Sequence, residues 1–237
     1  MKFEGEAMKK ERWEEVNALE KQWWIGWKSR VDLNGIREEL IKRAEKIKAI
    51  IDKYYLKESI KILQIGPAAN GEVHFLSGER FAIDPLASFF KINFSELIDP
   101  DVKFIDGLGE NMPYESDFFD VVLILNVLDH CFDPEKVLKE IFRCLKIEGM
   151  LILDVNTYNS FASLLHHLFG FLDKEHPYAI TRAYLKKSFK QKYEILEEGL
   201  FQAGLPAHFS VKRIILLVLR LLKLSPKSYR LVARKIK

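Results

Sequence analysis

No stretch of this 237-residue chain approaches the roughly 18 uninterrupted apolar residues that a membrane-spanning helix needs. Cysteine is scarce: only Cys131 and Cys144 are present. Both fall inside segments that read as buried and lack metal-ligand spacing, so reduced core thiols and no metal site are expected. Charge of one sign is missing too. Lysine and arginine number 37 against 34 aspartates and glutamates, a net +3, so composition points to no nucleic-acid partner. The opening MKFEGEAMKKERWEE carries charges where a signal peptide needs an apolar core, and a cytoplasmic location is expected. Neither a low-complexity linker nor an internal repeat divides the chain. What it has in quantity is apolar: 48% of its residues are hydrophobic, enough for a sizeable core in one domain with additions.

All four tryptophans fall near the start. Trp13, Val16, Leu19, Trp23, Trp24 and Trp27 recur on one face of a helix over residues 10–28. Such a stripe docks a helix onto a domain, and tryptophans also suit a lid over a binding pocket; the two roles are compatible. Ile36, Leu40, Ala44, Ile47, Ile51 and Tyr54 predict a second helix over 35–55. Residues 1–58 therefore read as an N-terminal helical cap belonging to the same domain as residues 59–237.

The rest is organised around ILQIGPAANGEV, residues 62–73, and the acid at Asp84. An apolar run ends at Gly66, passes through a turn of small residues into a short amphipathic helix, and returns through Phe81-Ala82-Ile83 to Asp84. Ligands of open parallel sheets sit beyond the carboxyl ends of such strands, where small residues let them approach the backbone. A carboxylate at the second strand's end suits a ribose diol. A helix over 86–97, a strand over 102–105 and a fully apolar strand over 121–125 follow. Asp133-Pro134-Glu135 then supplies an N-cap, a proline at the first helical position and an acid in the first turn. A fifth strand spans 150–155, with further strands over 193–201 and 228–236. The alternation predicts an α/β fold: a Rossmann-like, doubly wound, mostly parallel seven-stranded sheet.

In order, these blocks resemble a class I S-adenosylmethionine-dependent methyltransferase of the broad small-molecule group with a methyltransferase type 11 core. The resemblance rests on QIGPAANG, FAID, GLGENMPY, FFDVVLILNVLDH and FRCLKIEGMLILDV, in register over about residues 60–156. It implies S-adenosyl-L-methionine as cofactor and S-adenosyl-L-homocysteine as product. It also implies a cofactor-binding set of Gln64, Gly66, Pro67, Ala68, Gly71, Asp84, Leu86, Leu108, Gly109, Glu110 and Asn126. Gly66, Pro67 and Ala68 would line methionine and ribose, and Asp84 would take both ribose hydroxyls. Leu86 would pack on the adenine near Leu108 and Gly109, and Asn126 would meet the methionine part. The competing role for Asp84 is a helix N-cap, and for Asn126 a polar strand terminator. Three departures stand out. Gln64 replaces the usual acid, Ala68 and Asn70 replace two loop glycines, and Leu108 stands where many relatives bind the adenine amino group, leaving Asp106, Glu110 or backbone groups near Gly109 to substitute.

The cofactor's sulfonium methyl is already activated, so the protein's part is chiefly to orient the acceptor and exclude water. His130, just past the fourth strand with Asp129 beside it, is the candidate base, since histidine titrates near neutrality. Packing under the loop is its alternative. His166, His167 and His176 lie in a variable substrate region at about 157–192. Asn126 is followed by Val-Leu-Asp rather than Pro-Pro-aromatic, against methylation of nucleobase amino groups. An amphipathic helix at about 211–224 groups Lys212, Arg213, Arg220 and Lys223 on one arc. It suits peripheral contact with the inner membrane face, or burial against the domain or a homodimer partner. The expected acceptor is a small or lipid-linked molecule. Two other readings compete: a degenerate, cofactor-binding regulatory relative, and a nicotinamide-dependent dehydrogenase, which would need a Gly-x-Gly-x-x-Gly fingerprint that the chain lacks.

Overall fold

The computed structural model describes residues 10–57, 59–159, 161–163, 178–201 and 227–237, with side chains from residue 15 onward. Helix α1 (Lys10–Lys28) and helix α2 (Leu33–Tyr54) come first. Asp32 caps α2, accepting from the amides of Asn34 and Gly35, and the helix buries Leu40, Ala44, Ile47 and Ile51 along one stripe.

Seven strands form one sheet: β1 (Lys61–Ile65), β2 (Glu79–Asp84), β3 (Lys103–Asp106), β4 (Phe119–Leu125), β5 (Leu145–Thr157), β6 (Tyr193–Phe201) and β7 (Lys227–Lys235). Their order across the sheet is β3-β2-β1-β4-β5-β7-β6. The first five pair in parallel, while β7 runs antiparallel between β5 and β6. This is the mostly parallel, doubly wound sheet that the strand–helix alternation predicts.

Helices cover both faces. On one, Ala44, Ile47 and Ile51 of α2 meet Ile62, Val121, Leu123, Ile152 and Val232. Beside them α3 (Ala87–Asn93) packs Phe90 against Ala82 and Phe104. On the other face, Val137 and Ile141 of α4 (Pro134–Cys144) and Leu185 and Phe189 of α5 (Arg182–Phe189) meet Leu63, Val122, Ile124, Leu151 and Leu153. Alternate residues of β4 thus feed two cores, which is why its sequence is apolar throughout.

Several boundaries differ from the sequence reading. The helix expected after Gly71 is a single 3-10 turn, Glu72–Phe75. Only residues 66–78 separate β1 from β2, close to the shortest span a crossover allows, and α2 fills the layer. The helix expected over 86–97 ends at Asn93, because Phe94 leaves helical geometry to bury its ring beside Trp24 and Phe90. β5 is longer than expected because its two ends pair with β4 at Leu145 and with β7 at Thr157. Both cysteines are buried free thiols.

The N-terminal helix docks through its tryptophans. Trp24 is buried, with its ring edge-on to Phe90 and Phe94 at 5.3 and 5.5 Å between centroids. The Lys28 ammonium ties the end of α1 to the Asn93 carbonyl, at 2.5 Å, and to Glu96. Trp23 stays exposed. No helix among the described residues is long and apolar enough to cross a membrane.

Candidate cofactor crevice

The carboxyl ends of β1, β2, β3 and β4 open onto one edge of the sheet, and the loops leaving them carry most of the candidate residues. β1 ends in a left-handed turn, with Gly66 at φ +62° and Ala68 at φ +49°. A Cβ on Gly66 would lie 2.5 Å from Val127 Cγ1, so only glycine allows this turn to press against the loop after β4. The Gly66 amide donates to the Ile83 carbonyl at 2.8 Å, tying the turn to β2. Pro67 and Gly71 close the turn on themselves: a Cβ on Gly71 would meet Pro67 Cβ at 2.3 Å.

Asp84 closes β2 and is buried. Its Oδ2 accepts from the Ala68 amide at 3.1 Å and its Oδ1 from the Leu86 amide at 2.8 Å. It therefore braces the turn and the approach to α3, but it is not that helix's N-cap, a position held by Leu86 with no side-chain cap bond. A carboxylate has about four acceptor sites, so two remain for a ligand. Burial raises its pKa to about 7; Glu20 and Asp106 push the same way, while the two amide bonds oppose. Leu86 is buried with Trp24, Ala69 and Phe90.

The acids proposed to replace the missing adenine ligand each accept from the protein as well. Asp106 accepts from the Ser88 amide at 2.9 Å and from the Ser88 hydroxyl. Glu110 Oε1 accepts from the Asp133 amide at 3.0 Å, steadying the entry to α4. Leu108 is partly exposed between them, and Gly109 is buried with no room beyond Ile65 and Val137. After β4, Asn126 takes left-handed geometry at φ +59°. Its amide donates to the Asp154 carbonyl at 2.7 Å, and its Oδ1 accepts from Asn156 at 2.9 Å. A turn follows, closed by the His130 amide on the Val127 carbonyl at 2.8 Å. It holds Asp129 fully buried and His130 half-buried.

Gln64 has a different task from the one its position suggests. Its amide nitrogen donates to Glu72 Oε2 at 2.9 Å, and its oxygen accepts from the Val73 amide at 2.8 Å. Glu72, also buried, is paired through Oε1 with Arg43 of α2. The side chain of Gln64 is thus committed to a buried network. Sequence reasoning passed over Glu72, eight residues beyond Gln64, and Glu20. The latter is half-buried on α1, accepts from Trp24 Nε1 at 3.3 Å, and is close enough to Asp84 and His130 to interact with both. Burial raises its pKa, against the Trp24 hydrogen bond and the nearby His130. An acid four residues before a tryptophan on the docking helix was the available signal. His166, His167, His176 and the basic helix over 211–224 lie outside the described residues.

Residues 65–153 match the family model of the methyltransferase domain. Over that span, rather less than half of its length, the chain is similar to methyltransferase domains. Its class I sheet is shared with solved structures of low sequence identity. A Bacillus halodurans C-125 protein assigned to the methyltransferases superposes with a TM-score of 0.64 at 15% identity, covering 83% of this chain and 99% of that one. The geranyl diphosphate C-methyltransferase of Streptomyces coelicolor A3(2), in complex with Mg2+, geranyl diphosphate and S-adenosyl-L-homocysteine, gives 0.64 at 12% identity, covering 82% and 80%. The [4+2]-cyclase SpnF gives 0.57 at 14% identity, covering 81% and 80%. No curated protein matches the chain. At these identities the methyltransferase likeness is one of fold, and the reaction must be argued from the crevice.

Proposed function

We propose that this protein transfers the methyl group of S-adenosyl-L-methionine to a small or lipid-linked acceptor. The observation that carries the reading is Asp84, a buried carboxylate at the end of β2 that braces the Gly66–Ala68 turn and keeps two acceptor sites free. Those sites fit the two hydroxyls of a ribose, and the left-handed turn offers backbone to the amino-acid end of such a cofactor. Leu86 and Leu108 supply apolar surface for the adenine. The cofactor brings an activated methyl; the chain binds it, aligns the acceptor and keeps water out. His130, at the lip of the crevice, is the residue proposed to take the acceptor's proton.

Titration calorimetry with S-adenosylhomocysteine tests the binding. Asp84→Ala should weaken affinity about 100-fold, by the loss of two hydrogen bonds to a charged group, and leave the chain folded. Affinity in the wild type should rise from pH 6 to pH 8, because hydroxyl donors favour the ionised carboxylate and burial holds its pKa to about 7. Unchanged affinity in Asp84→Ala would overturn the assignment. Transfer of radiolabelled methyl in cell extracts tests turnover, and partition of the label into organic solvent separates lipid-linked from small acceptors.

A second reading is a cofactor-binding protein with no methyl transfer. Its support is the commitment of Gln64 to Glu72 and Val73, together with a fold neighbour that bears the name of a cyclase. Binding of S-adenosylhomocysteine with no labelled product would favour it.

A further inference from the structure

The most unusual group in the crevice is Asp129. It is fully buried in the turn after β4, and neither carboxylate oxygen has a hydrogen-bond partner among the described residues. A buried carboxylate left without donors is costly, and such a group calls for a specific explanation. The neighbouring acids have each found a donor. Asp84 has the Leu86 and Ala68 amides, Asp106 has Ser88, Glu110 has the Asp133 amide, and Glu20 has Trp24. Asp129 has none.

Its place is fixed by what surrounds it. Asp129 lies in the turn that the His130 amide closes on the Val127 carbonyl at 2.8 Å, and the Cys131 thiol donates to the same carbonyl. That sulfur lies 3.4 Å from the Val127 carbonyl, and Val127 is the residue pressed against Gly66. Asp129 therefore stands on the wall shared with the cofactor turn. Among the described residues no lysine or arginine forms an ion pair with Glu20, Asp84, Glu110 or Asp129.

We propose that Asp129 forms a subsite for a cationic amine, the ammonium group of the acceptor, beside the Gly66 turn. The proposal rests on the methyltransferase reading and names its substrate class. An ammonium offers three donors and a positive charge to two bare oxygens. A hydroxyl offers one donor. A phosphate or carboxylate offers no such match to a carboxylate without donors. The oxygens touch no solvent, so the amine enters as the loop opens.

The test uses full-length protein saturated with S-adenosylhomocysteine and titrated with ethanolamine and spermidine, with ethylene glycol and succinate as uncharged and anionic controls. Ethanolamine or spermidine should bind and raise the melting point, and the controls should do neither. Asp129→Asn should weaken amine binding at least tenfold and hold S-adenosylhomocysteine affinity within about threefold. It should also melt higher than wild type, since the buried carboxylate without donors is gone. A lower melting point with amine binding intact would make Asp129 a structural group and overturn the proposal. So would binding of succinate in place of the amines, or amines that leave the wild type unmoved. Failure of the wild type to bind S-adenosylhomocysteine would instead sink the methyltransferase reading beneath it.

Discussion

Gln64 and Glu72 illustrate how a substitution can be compensated a few residues away. The family pattern has an acid at the end of the first strand; here the acid sits on the following 3-10 turn, and the strand supplies its amide partner at 2.9 Å. Restoring the family residue should therefore harm the protein. In Gln64→Glu a second carboxylate would face Glu72 in a buried site, with Arg43 already committed to the other oxygen. We expect a loss of about 1–3 kcal/mol in urea denaturation at pH 8, partly relieved at pH 5, where one proton can be shared between the pair. Equal or greater stability in the variant would contradict the network. Position 64 read as a cofactor residue because only its place in the strand was visible. Its side-chain partners, Glu72 and the Val73 amide, both come from the 3-10 turn, contacts that no periodicity reveals.

Among the elements, α1 shows how much a pattern can tell and where it stops. The tryptophan stripe predicts a docking helix, and Trp24 does dock, on Phe90 and Phe94. It cannot say that Trp23 is left exposed or that Glu20 is carried to the crevice, because both depend on the angle at which α1 crosses α3. Trp24→Ala should cost about 3 kcal/mol and raise hydrogen exchange in residues 15–28 above that of the sheet. Uniform exchange throughout would mean that the helix is not held mainly by this ring. The strands were legible because β4 and β5 are buried on both faces, and α4 because Asp133-Pro134-Glu135 marks its start. The crossover after Gly71 was misread as a helix since its few apolar residues fit a turn equally well. The carboxyl-edge positions of Gly66, Asp84, Asn126 and His130 followed from strand ends alone. The bare oxygens of Asp129 did not, for an orphaned group is defined by what fails to reach it.

For the whole molecule, two buried groups pull stability in opposite directions with pH. Burial lowers the pKa of His74 from 6.5 to about 4, with Asp99 opposing and Arg80 adding to the shift. Between those values the unfolded chain binds the extra proton, so stability rises with pH across the window. Asp84 is displaced upward, from 3.8 to about 7, so the folded state binds the extra proton and stability falls with pH over most of the same range. Each displacement is worth about 3–4 kcal/mol, and the two largely cancel between pH 4 and 6.5. Urea denaturation should uncover each slope separately: His74→Phe should lose stability as pH rises from 4 to 7, and Asp84→Asn should gain it from 4 to 6.5. Parallel profiles for wild type and both variants would refute the burial argument.

The antiparallel insertion of β7 between β5 and β6 bears on how the polypeptide is made. A ribosome that has released residue 201 has produced six strands, yet β6 still has no neighbour and one flank of β5 lies bare. Both gaps close only when residues 227–235 emerge and slot between them. Until then a nascent chain displays open hydrogen-bonding edges, the feature that invites pairing with other chains. Premature termination anywhere before residue 227 is thus expected to yield a sticky, half-zipped sheet rather than a smaller working unit.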